Sequence, residues 1–481
     1  MADTLKPHDE HVDGKSSLES NAEEAIPTGA LAMDSIHRQQ VEKKLKRKLD
    51  ARCSLFVLIY IMNYLDRNNI AAARLKGLQD DLKLDDTQYA TCLSILYVGY
   101  ILMQVPSNMF INRISRPSLY ISCAMLLWGL VSTLSGVVHN FTGMVLIRFF
   151  LGFVEAAFLP GALLILSKWY TRRELTTRNA ILFCGNLISN AFSALIGAGV
   201  LSNMQGVLGH AAWRWLFWIE GAITMAVALS AAIILPDLPH NSRGFTEEER
   251  QVAQLRMIED VGEADTDSSE EGIFYGFNLA IKDVKIYIMM LTFTAYVVGL
   301  SFNAFFPTLT GTLGFEYVPT LLMSSPPWVF SCIISLINAW HSDRTEEKVD
   351  TATILSSHTP ASSSFIRGSV PHSPRPPAKR AVAIAMINAF SQLGNVAGSY
   401  VWALPENGFR KSYGIVLSMF GVTIVGCWIF RMILVDLNKK LDAGESAWET
   451  RRDVAAQTAA VEVMDNPDEA LRMKRDFRYL I

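Results

Sequence analysis

Five charged residues stand in or at the edge of apolar stretches: Asp66 and Arg67, Arg148 and Glu155, and Glu220. A charge at mid-membrane costs roughly 2.5 to 3.5 kcal/mol on insertion scales, so such a residue faces a partner or a water-filled path. Arg148 and Glu155 lie nearly two helical turns apart, which places them on one face roughly 10 Å apart along the axis, able to line one cavity. A buried carboxylate beside a guanidinium can bind and release a proton, and a further guanidinium can attract an anion. On this reading Asp66 and Glu155 carry protons, Arg148 tunes a neighbouring carboxylate, and Arg67 draws an anionic substrate. Structural ion pairing is the competing explanation. Glu220 is read differently: it follows Trp213-Arg214-Trp215-Leu216-Phe217-Trp218, an expected outer-interface aromatic belt, which favours an anchoring or packing role.

Polar residues recur within the same stretches, among them Asn63, Tyr64, Asn186, Asn190, Asn303, Asn388, Gln392 and Asn395. Asn63, Tyr64, Asn186 and Asn395 join Arg67 as candidate substrate contacts. Asn388, Gln392, Asn395 and Ser399 fall on one helical face, and a cavity wall and helix-to-helix hydrogen bonding explain it equally well. No His lies inside an apolar stretch and no Cys or His pair has metal-ligand spacing, so neither a metal nor another cofactor is implied. Phosphate-binding loops are absent, and no nucleophile, base and orienting group share an intramembrane site, so an enzyme is not expected. Asn140-Phe141-Thr142 is a glycosylation sequon so close to the membrane that occupancy is not expected.

The elements that must position these groups are spanning helices. The chain has 481 residues, 50% hydrophobic and 19% charged, with long charge-free runs. Ten candidate spans follow: Leu55–Ala73, Tyr89–Ile111, Ser118–Val138, Gly143–Ser167, Asn179–Leu201, Trp215–Leu235, Ile286–Thr308, Pro319–Trp340, Ala381–Leu404 and Ser412–Phe430. Lys43, Lys44, Lys46, Arg47 and Lys48 before the first span, and Lys168, Arg172, Arg173 and Arg178 between the fourth and fifth, place both termini in the cytoplasm. The basic residues fall between apolar blocks and form no single patch, which argues against a nucleic-acid partner. All six cysteines lie in or beside apolar blocks, so no disulfide framework is expected. No cleavable signal peptide is read at the start, and the first span would direct insertion.

The expected organisation is a polar, disordered tail over 1–51, six helices over 52–235, a cytoplasmic loop over 236–283, an incomplete second half over 284–436 and a cytoplasmic tail over 437–481. Thr246 and Glu249 form a capping-box pattern that predicts a solvated surface helix over Thr246–Asp260. The stretch 349–377 is rich in Ser, Thr, Pro and His, cannot span a bilayer, and reads as a disordered insert.

From about Cys53 to Leu437, apart from that insert, the chain resembles the major facilitator superfamily. Asn63-Tyr64-Leu65-Asp66-Arg67-Asn68-Asn69-Ile70 looks like the first-helix signature of its anion:cation symporter branch, in particular the fungal allantoate, nicotinate and pantothenate permeases. Arg148 to Glu155, Trp213 to Gly221, and Pro376-Pro377-Ala378-Lys379-Arg380 extend the match, and Asp343-Arg344 keeps part of the superfamily's loop motif, which Asn112 to Pro117 lacks. The resemblance implies an all-α polytopic fold and proton-coupled uptake of a small organic anion by a monomer in the plasma membrane. It places the proton on Asp66 and Glu155, the substrate on Arg67, and Arg148 against Asp66. It also implies twelve spans in two halves, of which the ninth and tenth are missing here, their place taken by the insert. Metabolite export, or a non-transporting sensor or degenerate product, are the alternatives.

Overall fold

A computed structural model describes residues 34–111, 114–261, 278, 281–334, 377–404 and 409–442. In chain order its principal helices are α1 (Ser35–Arg74), α2 (Asp86–Ile111), α3 (Pro117–Ser135), α4 (Phe141–Glu155), α5 (Phe158–Trp169), α6 (Arg172–Asn203), α7 (Ala212–Ile234), α8 (Glu247–Val261), α9 (Val284–Gly299), α10 (Phe302–Gly311), α11 (Tyr317–Ser324), α12 (Pro377–Val401) and α13 (Arg410–Asp442). All regular structure among the described residues is helical.

Helix occupies the described part of each of the ten expected span segments, Pro319–Trp340 being described as far as Ile334. Seven helical units are long and apolar enough to cross a membrane, and Val318–Ile334 is a shorter apolar one. The remaining two segments belong to α1 and α12, which carry Asn63, Asp66 and Arg67, or Asn388, Gln392 and Asn395, within their apolar runs. Large apolar side chains such as Leu229, Ile233, Leu291, Leu417 and Trp428 point outward, a surface suited to lipid. The expected insert 349–377, up to the first residue of α12, and the Asp343-Arg344 motif lie outside the described residues.

Two spans are built from broken helices. Phe141–Trp169 forms one apolar unit from α4 and α5, interrupted just after Glu155, and Val284–Gly311 forms another from α9 and α10, interrupted at Leu300 and Ser301. The helices pack in intimate pairs: α3 with α7, α2 with α4, and α1 with α6 in the first half, and α9 with α12 and α13 in the second. The α2/α4 contact is backbone against backbone. A Cβ built on Gly152 would stand 1.9 Å from the Leu96 carbonyl oxygen, and one on Gly99 2.2 Å from that of Phe149.

The first helix departs from expectation. It begins at Ser35, well before Leu55, so residues 35–51 are helical where a disordered tail was expected. The reason is tertiary: Val41, Leu45 and Leu49, spaced one turn apart, are buried in one core with Val252 and Ala253 of α8. Helix α8 is therefore docked, not solvated. Its capping box forms as read, with Thr246 N–H donating to Glu249 Oε2 (2.9 Å) and Glu249 N–H to Thr246 Oγ1 (3.3 Å). Ion pairs complete the dock: Lys48 to Glu249 (2.9 Å), Arg256 to Glu174 (2.5 Å) and to Glu42 (3.1 Å), and Lys46 to Glu174 (2.6 Å). This end of the molecule is called the linker face below.

Burial pushes the Glu174 carboxyl up, but hydrogen bonds and charges from Lys46 and Arg256 outweigh it and hold it below the usual range. Glu249 is likewise lowered, burial being outweighed by Lys48, the Thr246 N–H and Lys44. Carboxylates depressed on folding stabilise fully above the ordinary glutamate value of about 4.3 and lose that contribution as pH falls through the folded values beneath it. Acidification below about 4 therefore releases α8 before the membrane helices unfold. Hydrogen exchange checks this: α8 amides lose protection at acid pH, whereas unchanged protection there would contradict the ion-pair account of docking.

Candidate functional site

The site is organised around α1, whose Asn63-to-Asn69 segment presents different residues to different neighbours. Asp66, fully buried, turns toward α3 and α7, where its carboxylate accepts hydrogen bonds from Ser132 Oγ (2.6 Å) and Thr224 Oγ1 (3.1 Å). Asn69, one turn on, donates through Nδ2 to Glu220 Oε2 on α7. Arg67 turns toward α2 and α4. Its Nε donates to Glu155 Oε2 at 2.5 Å, and its guanidinium lies 4.9 Å from the Tyr100 ring centroid and 5.2 Å from that of Tyr64. The Glu155 side chain is sealed (0% exposed), whereas Arg67 keeps 10% exposure, so the arginine is the member of the pair a solute can reach.

Arg148 lies between these groups. Its Nη1 donates to the Arg67 carbonyl oxygen (3.3 Å), and its Nε and Nη2 have no hydrogen-bond partner. Here the structure differs from the expected pairing with Asp66: both Asp66 oxygens are occupied by hydroxyls, and Arg148 reaches the α1 backbone instead. The charge still acts on both carboxylates, since Asp66 and Glu155 each feel Arg148.

The other candidates are distributed. Tyr64 belongs to the Arg67 group, and Asn63 is buried with its Nδ2 unpartnered. Asn186 accepts from Asn190 Nδ2, and Asn190 Oδ1 accepts from Asn68 Nδ2 (2.8 Å), so a chain of amides links α6 to α1. Asn395 donates to Gln392 (2.9 Å) and Ser399 to the Asn395 carbonyl oxygen, so much of that α12 face is satisfied within its own helix. Asn140 N-caps α4, accepting from the Gly143 N–H at 2.8 Å. No His, Cys, Asp and Glu group among the described residues could hold a metal ion.

The sequence reading missed Asn69, Asn68 and the placement of Glu220. Trp213, Leu216, Phe217 and Glu220 form the buried face of α7, so the segment is not uniformly a lipid-interface belt; of its three tryptophans Trp215 and Trp218 are partly exposed. The three- and four-residue spacing of Trp213, Leu216, Phe217, Glu220 and Thr224 carried that signal, and the density of aromatic residues concealed it.

The two halves meet away from the linker face. One core there combines Ile70, Ala73 and Tyr89 of the first half with Phe305, Leu309 and Trp402 of the second. The Phe305 and Trp402 rings stack at 5.8 Å, and Thr91 Oγ1 and Tyr400 Oη share a hydrogen bond of 3.1 Å. Between the halves, Asn68, Asn190, Ser193, Asn303, Ser324 and Trp328 line a partly open cavity of about 30 Å³. Toward the linker face, one core of the described residues gathers around Phe56 and Trp169 in the first half and another around Met289 and Ile387 in the second. Among the described residues the larger shared core of the two halves lies on the far face, and a smaller one, of Cys184, Leu187, Ala191, Trp328 and Cys332, joins α6 to the second half.

Two helical halves around intramembrane charges define a polytopic membrane protein. The chain belongs to the Major Facilitator Superfamily, whose family model matches residues 56–374. It is similar to the MFS-type transporter cnsO of Penicillium expansum (33% identity over 327 residues, 66% of this chain and 62% of that protein). It is also similar to the MFS-type transporter efuF of Hormonema carpetanum (32% over 333 residues, 68% and 65%). A protein of Agrobacterium vitis named for tartrate transport is 29% identical over 317 residues, 66% of this chain and 69% of that one. The chain thus spans less than two thirds of the length of the first two relatives. The same fold is seen in the proton:xylose symporter XylE bound to 6-bromo-6-deoxy-D-glucose (TM-score 0.58, 16% identity, 79% of this chain and 96% of that one). A mutant of the nucleoside transporter NupG shares it as well (TM-score 0.52, 13% identity, 79% and 99%).

Proposed function

We propose that this chain takes up a small organic anion together with protons, and that the Arg67–Glu155 ion pair is where the two are coupled. The observation that carries this reading is the pair itself. Arg67 is the accessible cation, yet its charge is already satisfied by Glu155. A carboxylate substrate must therefore compete with Glu155. A proton on Glu155 removes the competitor and frees the guanidinium, so anion and proton bind together or not at all. Arg148, with two unpartnered donors, stabilises whichever of Asp66 and Glu155 is ionised. Tyr64 and Tyr100 flank the guanidinium and supply faces against which a planar acid can pack.

The relative named for tartrate transport supports an organic acid as the substrate class, and the first-helix signature supports nicotinate, pantothenate or allantoate within it. With the basic flanks of the first and fifth spans in the cytoplasm, the linker face is the cytoplasmic one, and the larger shared core of the two halves lies toward the outside. The plasma membrane is the proposed site of action and a monomer the working unit. Uptake of labelled nicotinate, pantothenate, allantoate and tartrate into proteoliposomes is the test. One of these acids accumulates when the outside is acidic, and Arg67→Ala lowers its uptake at least tenfold, as loss of a charge-assisted contact of about 1.5 to 3 kcal/mol requires. Uptake of an acid that ignores both the pH gradient and an uncoupler would contradict proton coupling.

A further inference from the structure

Glu220 is a carboxyl group that the proposed cycle does not use. It stands on α7 with 1% exposure, on the face that also holds Thr224, the donor to Asp66, one turn nearer the linker face. No ion-pair partner for it exists among the described residues. The elements around α7 supply no ion pair at this level: α3 carries no cation, α6 carries its charges only near the linker face, from α1 the facing groups are Asp66 and Asn69, and Arg148 of α4, 5.8 Å from the Phe217 ring of α7, bonds the Arg67 carbonyl oxygen. The α1 arginines are engaged elsewhere, Arg67 with Glu155 and Arg74 with Asp86.

The hydrogen bonding of this group is incomplete in one particular way. Asn69 Nδ2 donates to Glu220 Oε2, while Glu220 Oε1 and Asn69 Oδ1, the other oxygens of the same two groups, are both buried without any partner. Two acceptors cannot satisfy each other. A single proton on Glu220 supplies the donor that this pair of buried groups lacks.

We infer that Glu220 is a third proton-binding carboxyl of the transport path, paired with Asn69 while it holds its proton and placed between Asp66 and the far face. Its position supports the second part. Two turns above it on the same face, Trp213 donates Nε1–H to Oδ2 of the exposed Asp81 (2.7 Å), and one turn below it Thr224 bonds Asp66. A proton passed from Glu220 O–H to an ionised Asp66 leaves a Glu220 carboxylate, which takes its replacement from water when the far face opens. Atoms and charge balance, and no other reactant is needed. This role rests on the proton-coupled reading above; the acid–amide pair itself does not.

The test is infrared spectroscopy of the purified full chain as a function of pH, alongside gradient-driven uptake of labelled nicotinate, pantothenate, allantoate and tartrate. The wild type is expected to show a protonated-carboxyl C=O band that is absent in Glu220→Gln, present in Asp66→Asn, and shifted in Asn69→Leu as its hydrogen bond is lost. Gln keeps the acceptor for Asn69, so substrate exchange without a gradient persists in Glu220→Gln and shows that the variant is folded, while accumulation falls about tenfold or more. The same band in Glu220→Gln as in wild type overturns the proposal, as does unaltered proton-driven accumulation. A Glu220 band together with wild-type uptake that ignores the gradient overturns the coupling reading and the relay role, and leaves the acid–amide pair standing.

Discussion

Glu155→Gln binds its anion more tightly at neutral pH than the wild type, loses the pH dependence of that binding, and no longer accumulates the anion against its gradient. All three effects follow from one geometry. In the wild type the anion must displace a buried carboxylate that holds Arg67 at 2.5 Å, and only a proton makes that carboxylate let go. Glutamine is nearly isosteric and uncharged, so Arg67 stands permanently free. The affinity gain is the reverse of the usual cost of a mutation, because a competitor has been removed and not a contact. Accumulation suffers because a carrier with no proton to load cannot draw on the pH gradient. For a monoanion moving with one proton, the lost driving force is about tenfold in accumulation per unit of pH gradient. Binding of nicotinate to purified protein across a pH series, with uptake into proteoliposomes, reads both effects. A variant that binds more weakly than wild type at every pH would mean that Glu155 contacts the substrate directly.

The second large effect is structural. Gly152→Leu is expected to cost about 3 kcal/mol or more, at the upper end of the range for overpacked sites. Its Cβ alone would stand 1.9 Å from the Leu96 carbonyl oxygen, a backbone atom with no rotamer to move out of the way. The only relief is separation of α2 from α4, along an interface where Gly99 makes the reciprocal approach to Phe149. That separation also moves Glu155, three residues on, away from Arg67, so surviving protein loses coupling as well. Gly199→Ala provides the contrast: nothing lies within 4 Å of the added Cβ, and alanine is the better helix former. Thermal unfolding in detergent should show a large fall for Gly152→Leu and none for Gly199→Ala. Equal stability of the two variants would contradict the close approach of α2 and α4.

Much of this was legible in the chain because the bilayer imposes a simple rule on composition. Apolar runs of the right length marked the helices, and the cost of charge in hydrocarbon singled out Asp66, Arg67, Arg148 and Glu155. Which charge meets which depends on helix rotation and tilt, which no single helix encodes. Thus Asp66 and Arg67, adjacent in sequence, face different helices, and Arg148 bonds a carbonyl where Asp66 was expected. The helix break after Glu155 carried a signal in Pro160, which cannot donate to the Ala156 carbonyl, but the span reading by length and hydropathy passed over it. The extension of α1 back to Ser35 was hidden for the opposite reason: its apolar stripe of Val41, Leu45 and Leu49 is sparse, and becomes a core only when α8, some two hundred residues later, supplies Val252 and Ala253.

The linkage between anion and proton can be measured without any gradient. Titration calorimetry of the purified full chain with nicotinate, repeated in buffers of different ionisation enthalpy, counts protons taken up as the anion binds. The account predicts close to one proton per anion in the wild type at neutral pH and none in Glu155→Gln, with binding intact. Wild-type binding that takes up no proton would show that Arg67 is available without protonation of Glu155, and the central claim would fail.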